Sequence, residues 1–189
     1  MAKKRLLDNI EFTTDQWSLI EIVNPCENYQ FAYYINEAFE IDLEREDDFD
    51  FAIQNDEIEL FPIYTYTDEE LKRFYVLLCT HSENDVALWK DFDSSHTKLL
   101  FIFGNEHQEA ARHLESFVMD IPNTIYAQYL NFAEQSNSTA KPSKNEKRKQ
   151  RLEKLFNDEL LEALELHFSE IEEKEEKQRK AILFQNEKS

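Results

Sequence analysis

The sequence is almost free of glycine. Gly104 is the one glycine among 189 residues, and only four prolines accompany it. A glycine-rich phosphate cradle needs several glycines in close succession, so the sequence excludes that class of nucleotide-binding loop. The same shortage excludes a low-complexity coil rich in glycine and proline.

Cysteines and long apolar runs are scarce as well. Cys26 and Cys79 are the two cysteines, too few for a disulfide framework, and we therefore expect a reduced, cytoplasmic protein. No apolar run approaches the length of about 18 residues that a membrane span needs. The basic start MAKKRLLDN has no apolar stretch behind it, so we expect no signal peptide.

Basic residues are scarce in the first two thirds of the chain. Residues 1–133 hold 27 Asp and Glu against 9 Lys and Arg, a charge of −18, whereas residues 134–189 hold 13 against 12. A surface this acidic repels nucleic acid and anionic membranes, so neither is expected as a partner. An acidic surface favours the binding of basic partners, or it keeps the protein soluble.

Two segments share the order strand, helix, strand. In residues 98–131 the apolar run LLFIF stops at Gly104, and Asn105 and Gln108 have the spacing of a helix-capping box. Ile121-Pro122 ends that helix, because proline resists the α conformation. The sequence therefore predicts a helix framed by two strands, with Gly104 in a tight turn.

Residues 17–45 repeat this order. The stretch WSLIEIV is typical of a strand, and Asn24-Pro25-Cys26-Glu27 offers an Asn cap, a proline at the first helical position and a capping Glu. We predict a helix from there to about residue 40 and a further strand over 41–45.

Two more strands lie between these units. The runs 58–66 and 74–80 predict an antiparallel hairpin, with Pro62 at an edge or a bulge. The predicted fold class is α+β: a mostly antiparallel sheet with two helices on one face, an enlarged ferredoxin-like plan, plus a long C-terminal helix. The predicted division is an acidic domain over 1–133, a linker over 134–143 and an amphipathic, then charged, helix over 144–189.

The C-terminal segment begins with a reversal of charge. Residues 141–154 carry seven bases against two acids, although cations at a helix start oppose the helix dipole. An apolar stripe at helical spacing follows, and beyond it Glu173–Lys177 and Glu176–Lys180 are i,i+4 pairs. We predict that the basic segment docks on the acidic domain, within the chain or on a second subunit, and that the stripe completes the contact. The residues predicted to contact a partner are Lys147, Arg148, Lys149, Arg151, Leu152, Leu155, Phe156, Leu160, Leu164 and Ile171.

Candidate chemistry is sparse. The acidic loops 47–50 and 91–96 place carboxylates two residues apart, and Asp91, Asp93 and His96 are candidate ligands for a divalent metal. Neither loop has the glycine or the terminal glutamate of an EF-hand, so a solvated acidic loop is the stronger interpretation. Cys26, near a helix start, is a weak candidate nucleophile. We expect no cofactor.

Several stretches follow the order found in one bacterial family. They are the aromatic helix NYQFAYYIN, the acidic stretch DDFDF and the closing LLFIFG–helix–IYAQYL, with Ile121-Pro122 and Tyr129 at the spacing of a signature. On these residues, the chain from about 12 to 132 resembles the uncharacterised bacterial family named for its IPExxxVDY signature. The signature positions that differ are Asn123, Ala127 and Gln128. The resemblance implies no activity.

Two classes of function follow from these patterns. The preferred one is a non-enzymatic protein-interaction module whose C-terminal helical arm mediates self-association or binds a partner protein. The alternative is a small enzyme or divalent-metal-binding domain that uses the acidic loops. A weaker hypothesis is mimicry of nucleic acid by the acidic face, which would bind a basic protein.

Overall fold

The computed structural model describes residues 17–53, 57–92, 94–130 and 144–186. Within these ranges the chain forms two antiparallel sheets, four α-helices and one π-helical turn. In chain order the elements are β1 (Trp17–Val23), α1 (Asn28–Phe39), β2 (Glu44–Arg45), β3 (Phe49–Ala52), β4 (Ile58–Phe61), β5 (Ile63–Asp68), β6 (Arg73–Cys79), β7 (Thr97–Gly104), α2 (His107–Val118), β8 (Tyr126–Leu130), α3 (Lys144–Leu155), the π-helical turn (Phe156–Leu160) and α4 (Leu161–Asn186).

The main sheet confirms the predicted α+β class. Its six strands lie in the order β2-β5-β6-β7-β1-β8, and every neighbouring pair is antiparallel. Since β1 pairs with both β7 and β8, the unit β7-α2-β8 crosses over β1, and its two strands run in the same direction. The unit β1-α1-β2 carries the chain to the opposite edge. The two strand–helix–strand segments thus form the scaffold.

Helices α1 and α2 lie on one face of this sheet. Alternate residues of the central strands face them, as the period of a β-strand requires. Burial of this apolar layer removes large side chains from water and stabilises the scaffold. The fully buried members include Ile20, Ile22, Phe31, Ile35, Leu77, Leu100, Ile102, Ala111 and Val118.

The predicted hairpin is right in its pairing and wrong in its extent. Strands β5 and β6 pair antiparallel, with Tyr66 opposite Tyr75. The predicted first strand is interrupted at Pro62, however. The part before it, β4, belongs to a separate two-stranded sheet with β3. Because proline cannot donate to a strand ladder, Pro62 marks the change of sheet. The acidic stretch predicted as a loop contains β3, whose Phe49 and Phe51 are buried.

Both predicted helix caps are wrong. Helix α1 begins at Asn28 and α2 at His107, and neither has a side-chain hydrogen bond at its cap. Asn24 instead accepts a bond from the Cys26 amide at 2.8 Å and donates to the carbonyl of Pro122 at 3.0 Å. It therefore joins the end of β1 to the end of the other crossover. The predicted strand over 41–45 shrinks to Glu44–Arg45.

Gly104 does occupy a tight turn. Its φ is +99°, and a Cβ atom there would lie 2.2 Å from the carbonyl oxygen of Lys72. Glycine alone accepts that conformation and that approach without strain. The turn lets Asn105 donate to the Lys72 carbonyl at 3.3 Å, which ties the start of α2 to the β5–β6 hairpin.

Candidate interaction site

The other face of the main sheet is covered by the C-terminal helices. We call α3, the π-helical turn and α4 (residues 144–186) the arm. Its apolar stripe packs against the sheet and against β3 and β4 in one continuous core. The stripe residues that are buried there are Leu152, Leu155, Phe156, Leu160, Leu161, Leu164 and Phe168, with Ile171 partly buried.

Aromatic contacts anchor the middle of the arm. The ring of Phe156 meets Trp17 and Phe101 edge to face, with ring centroids 6.1 and 5.8 Å apart. Phe168 meets Phe74 in the same manner at 5.1 Å. Such pairs contribute about 0.5–1.5 kcal/mol each beyond the area they bury. The apolar residues predicted for a partner therefore lie in the chain's own core.

The π-helical turn keeps the stripe on one face. In a regular α-helix, residues five apart such as Leu155 and Leu160 differ by about 140° around the axis. The wider turn closes with a bond from the Leu161 amide to the Phe156 carbonyl, an i→i+5 bond that adds one residue to the turn. Both leucines consequently face the sheet and are buried.

Arg148 docks the first part of the arm. Its guanidinium binds both carboxylate oxygens of Glu21, at 2.9 and 2.5 Å. The Glu21 side chain is 4% exposed and that of Arg148 34%. Glu21 shares the arm-facing side of β1 with Trp17 and Leu19, so the pair forms at the edge of an apolar layer. These bonds raise the pKa of Arg148 above its usual range.

Arg151 makes a second, more exposed contact. Its Nε and Nη2 atoms donate to the two carboxylate oxygens of Asp91 at 2.9 and 2.6 Å. The bond from Arg151 lowers the pKa of the Asp91 carboxyl below its usual range. The Arg148 guanidinium also reaches the Asp91 backbone carbonyl at 3.4 Å. Of the other predicted bases, Lys147 is exposed and Lys149 half-buried.

Among the residues that the structure describes, the metal candidates do not form a site. Asp91 is bound by Arg151, His96 is exposed, and Asp93 lies outside the described residues. In the loop 47–50, Asp47 pairs with Lys174 at 3.4 Å and Asp48 pairs with Arg45. No group of three or more His, Cys, Asp or Glu side chains suited to a metal occurs in the part of the chain that the structure describes. Cationic side chains thus hold three of these carboxylates.

The distal half of the arm has a different character. Every side chain described between Glu173 and Ile182 is exposed. The sequence predicts four i,i+4 pairs here: Glu170–Lys174, Glu173–Lys177, Glu175–Arg179 and Glu176–Lys180. Two of them are confirmed, Glu173–Lys177 at 3.2 Å and Glu176–Lys180 at 2.8 Å, whereas Lys174 pairs with Asp47 and the Arg179 side chain lies outside the described part. Ile171 is therefore the last described side chain of α4 in contact with the core, and the described side chains from Glu173 onward lie in solvent. The predicted linker 134–143 that leads to the arm lies outside the described residues.

Two further polar clusters were not foreseen, and both are structural. Lys98 is buried and donates to the carbonyls of Asn24 and Cys26 at 2.9 and 3.3 Å, and burial lowers its pKa. The Cys26 thiol lies 3.4 Å from the Asn123 amide nitrogen and 3.9 Å from the Pro122 carbonyl. Neither group is a base that would activate a thiol nucleophile.

The second cluster joins Ser18 to His107. The hydroxyl and the Nδ1 atom are 2.8 Å apart, the spacing of a nucleophile and its base. Ser18 is 2% exposed, however, and its hydroxyl also faces that of Tyr129 at 3.5 Å. The pair fixes the first turn of α2 on β1. No sequence pattern predicts a contact between these two side chains, which lie 89 residues apart in the chain.

His167 predicts a dependence of stability on pH. Its ring packs edge to face on Phe49, its Nε2 atom is buried without a described hydrogen-bond partner, and burial lowers its pKa. The unfolded chain therefore binds a proton at this histidine more readily than the folded chain does. The folded state has its full stability above a pH of about 6.5 and loses stability as the pH falls below that value. We expect a slope of at most about 1.4 kcal/mol per pH unit, measured by urea unfolding.

The variant His167→Phe tests the source of that slope. It keeps an aromatic ring on Phe49 and removes the titrating group. We expect the stability of the variant to change less between pH 7.5 and pH 5.5 (roughly the window set by a free histidine). His81, whose pKa is also lowered by burial, stays in the variant as a further source of the slope. An unchanged slope would exclude His167 as a contributor.

Comparison with known proteins adds no relative. No protein-family model, curated protein or solved structure matches the chain. Among the described helices, none combines the length and the apolar character needed to cross a membrane. The arguments below therefore rest on the contacts of this chain alone.

Proposed function

We propose that this protein is a non-enzymatic protein-interaction module that presents the distal half of its arm, Glu173–Ile182, to a protein partner. The observation that carries the proposal is the division of the arm at Ile171. Before this residue the stripe is buried in the core, and from Glu173 onward every described side chain is exposed. A helix held at one end on a sheet offers a rigid surface at low cost in conformational entropy.

Two contacts support a fixed rather than a loose arm. Arg148 and Arg151 each bind a carboxylate through two hydrogen bonds, a geometry that gives orientation as well as energy. The Lys174–Asp47 pair then lies where α4 leaves the domain. The position of the distal half is set by this series of contacts.

The metal-binding alternative has no such support. Asp47, Asp48 and Asp91 already have cationic partners, which a divalent ion would have to displace. Membership of the IPExxxVDY family stays a proposal that rests on the matching stretches of sequence.

A truncation after Glu172 tests the proposed function. It removes the exposed half of the arm and leaves Arg148, Arg151 and the buried stripe in place. We expect the free energy of unfolding to change by less than about 0.5 kcal/mol, since the removed side chains that the structure describes are exposed. We also expect the truncated chain to lose the partners that the full chain retains when both are immobilised and exposed to the same lysate.

The control is Leu166→Ala, which alters an exposed residue on the anchored half of the arm and should retain every partner. If the truncated chain keeps the same partners and the same oligomeric state as the full chain, the distal half is not the interaction surface.

A further inference from the structure

We infer that Glu115 closes one edge of the main sheet, and that a second copy of the chain pairs with strand β8 when this carboxylate is removed. The edge is separate from the distal arm, so the inference goes beyond the proposed function. It rests on the direction of the backbone groups of β8, on the contact that Glu115 makes with one of them, and on the lack of charge along the strand.

Strand β8 is an edge strand. It pairs with β1 on one side, and within the described part of the chain no strand pairs with its other side. The carbonyl of Val23 accepts a hydrogen bond from the Ile125 amide at 2.9 Å, so the odd-numbered residues of β1 direct their backbone groups at β8. Opposed residues of an antiparallel pair alternate between exchanging hydrogen bonds and exchanging none. The residues opposite the even-numbered positions of β1, Ala127 and Tyr129, therefore direct their N–H and C=O groups outward.

Glu115 binds one of these outward groups. Its carboxylate accepts a hydrogen bond from the Tyr129 backbone amide at 2.8 Å, and both side chains are half-buried. A bond to an ionised acceptor is stronger than one between neutral groups. The carboxylate lies where the carbonyl oxygen of an added strand would have to be, so a pairing strand must displace it.

Apart from this contact, β8 lacks the features that usually protect an edge strand. Such strands are commonly very short or charged. The opposite edge, β2, has both properties, because it consists of Glu44 and Arg45 alone. Residues 121–133, which include the longer strand β8, hold no charged residue, although 32% of the chain is charged. The charge that protects this edge comes from α2, through Glu115.

The outward groups of β8 can pair with those of a second β8 about a two-fold axis at Gln128. Ala127 of one copy then lies opposite Tyr129 of the other and exchanges backbone hydrogen bonds with it, and the rotation generates the same pair again. The contact closes on itself and gives a dimer. In the wild type this pairing removes both Glu115 carboxylates from their amides and places two negative charges at one interface. A chain without Glu115 avoids both costs.

The full-length variant Glu115→Ala tests the inference by sedimentation equilibrium. We expect it to dimerise at least about tenfold more tightly than the wild type, because it loses no hydrogen bond to a carboxylate at either contact. Alanine favours a helix, and circular dichroism verifies that the fold is kept. Hydrogen exchange locates the interface, since the outward Ala127 amide should exchange at least about tenfold more slowly in the dimer.

The matched control is Glu109→Ala, which removes the same charge from an exposed position of α2 and should associate no more than the wild type. Two further changes, each added to Glu115→Ala, should restore the monomer. Gln128→Lys brings like charges together at the two-fold axis. Ala127→Pro removes a donor that the second copy needs and no bond to β1, since proline is accepted on an edge strand.

A Glu115→Ala chain that associates no more tightly than the wild type overturns the inference. Association that persists after both Gln128→Lys and Ala127→Pro overturns it as well, because it would use another surface. The proposed function is tested separately by the truncation after Glu172, which leaves β8 and Glu115 in place.

Discussion

Replacement of Arg148 by methionine is expected to lower the free energy of unfolding by about 3 kcal/mol. Arg148 binds both oxygens of Glu21, whose side chain is 4% exposed. Without the guanidinium, the carboxylate stays in an apolar layer with its main cation removed. Losses of this kind reach about 3–5 kcal/mol, and the partial exposure of Arg148 places this site at the lower end.

The double variant Glu21→Met with Arg148→Met separates the contribution of the ion pair to stability from that of side-chain packing. Methionines fill similar volume without a charge, and apolar replacement of a whole ion pair is often neutral or stabilising. We therefore expect the double variant to recover most of the stability that Arg148→Met loses. Urea unfolding of the wild type, the single variants Arg148→Met and Glu21→Met, and the double variant gives the coupling energy directly.

Lys147→Met is the matched control, because Lys147 lies next to Arg148 on α3 and is exposed. Its effect should stay within about 0.5 kcal/mol. Arg151→Met should fall between the two, since the pair with Asp91 is more exposed. If Arg148→Met costs no more than the Lys147 control, the bond to Glu21 contributes nothing to the docking of the arm.

Strand β1 shows what the sequence predicts well. The stretch WSLIEIV is a strand with the bounds expected for it, Trp17–Val23. Its β-branched and aromatic residues fit a sheet that is covered on both faces. The predicted placement of two helices on one face of the sheet is also confirmed. Both helices contribute apolar side chains to the core on that face.

Pro62 and the helix starts show where prediction from the sequence ends. The run 58–66 reads as one strand, and only its tertiary environment reveals that β4 leaves the main sheet to lie under the arm. At the helix starts, Asn24 has the right residue type for a cap. Its side chain is used instead to bridge to Pro122 and Thr124, about 100 residues away. Capping rules consider only neighbouring residues, so they cannot take into account a competing hydrogen bond to residues this distant in the sequence.

The interaction site could be predicted in part. The charge partition and the apolar stripe mark residues 147–171 as a docking segment, and the structure places the stripe, Arg148 and Arg151 against the chain's own domain. Neither pattern identifies Glu21, a single acid inside an apolar strand 127 residues from Arg148. The division of the arm at Ile171, in contrast, follows from the sequence, because the apolar stripe ends there and the charged i,i+4 pairs continue beyond it.

The docked arm changes how the charges of the chain are understood. A domain of charge −18 attracts the basic start of the arm, and two guanidinium groups then bind specific carboxylates. The described side chains of α4 beyond the Lys174–Asp47 pair make no contact with the core and are open to other contacts. The same helix is therefore a structural element in its first part and a candidate binding surface in its second.

Replacement of Phe156 by alanine is expected to cost about 3–5 kcal/mol, the range for removal of a buried aromatic ring from a core. Phe156 is fully buried between Trp17 and Phe101, so the variant leaves a cavity where the arm meets the sheet. Leu166→Ala is the control on the arm, since Leu166 is exposed. Leucine and alanine both favour a helix, so this substitution does not disturb the backbone. It should change stability by less than about 0.5 kcal/mol.

Trp17 makes the Phe156 experiment informative beyond its magnitude. Its indole lies against Phe156, so its fluorescence reports on the arm contact once the second tryptophan, Trp89, is replaced by phenylalanine in all the proteins compared. Far-ultraviolet circular dichroism reports on the whole fold. If the arm is part of one cooperative unit, both signals should change at the same urea concentration in the wild type and shift together in Phe156→Ala. An earlier fluorescence transition, or a loss no greater than that of Leu166→Ala, would mean that the arm unfolds separately. The sheet face would then be able to open while the rest of the domain stays folded.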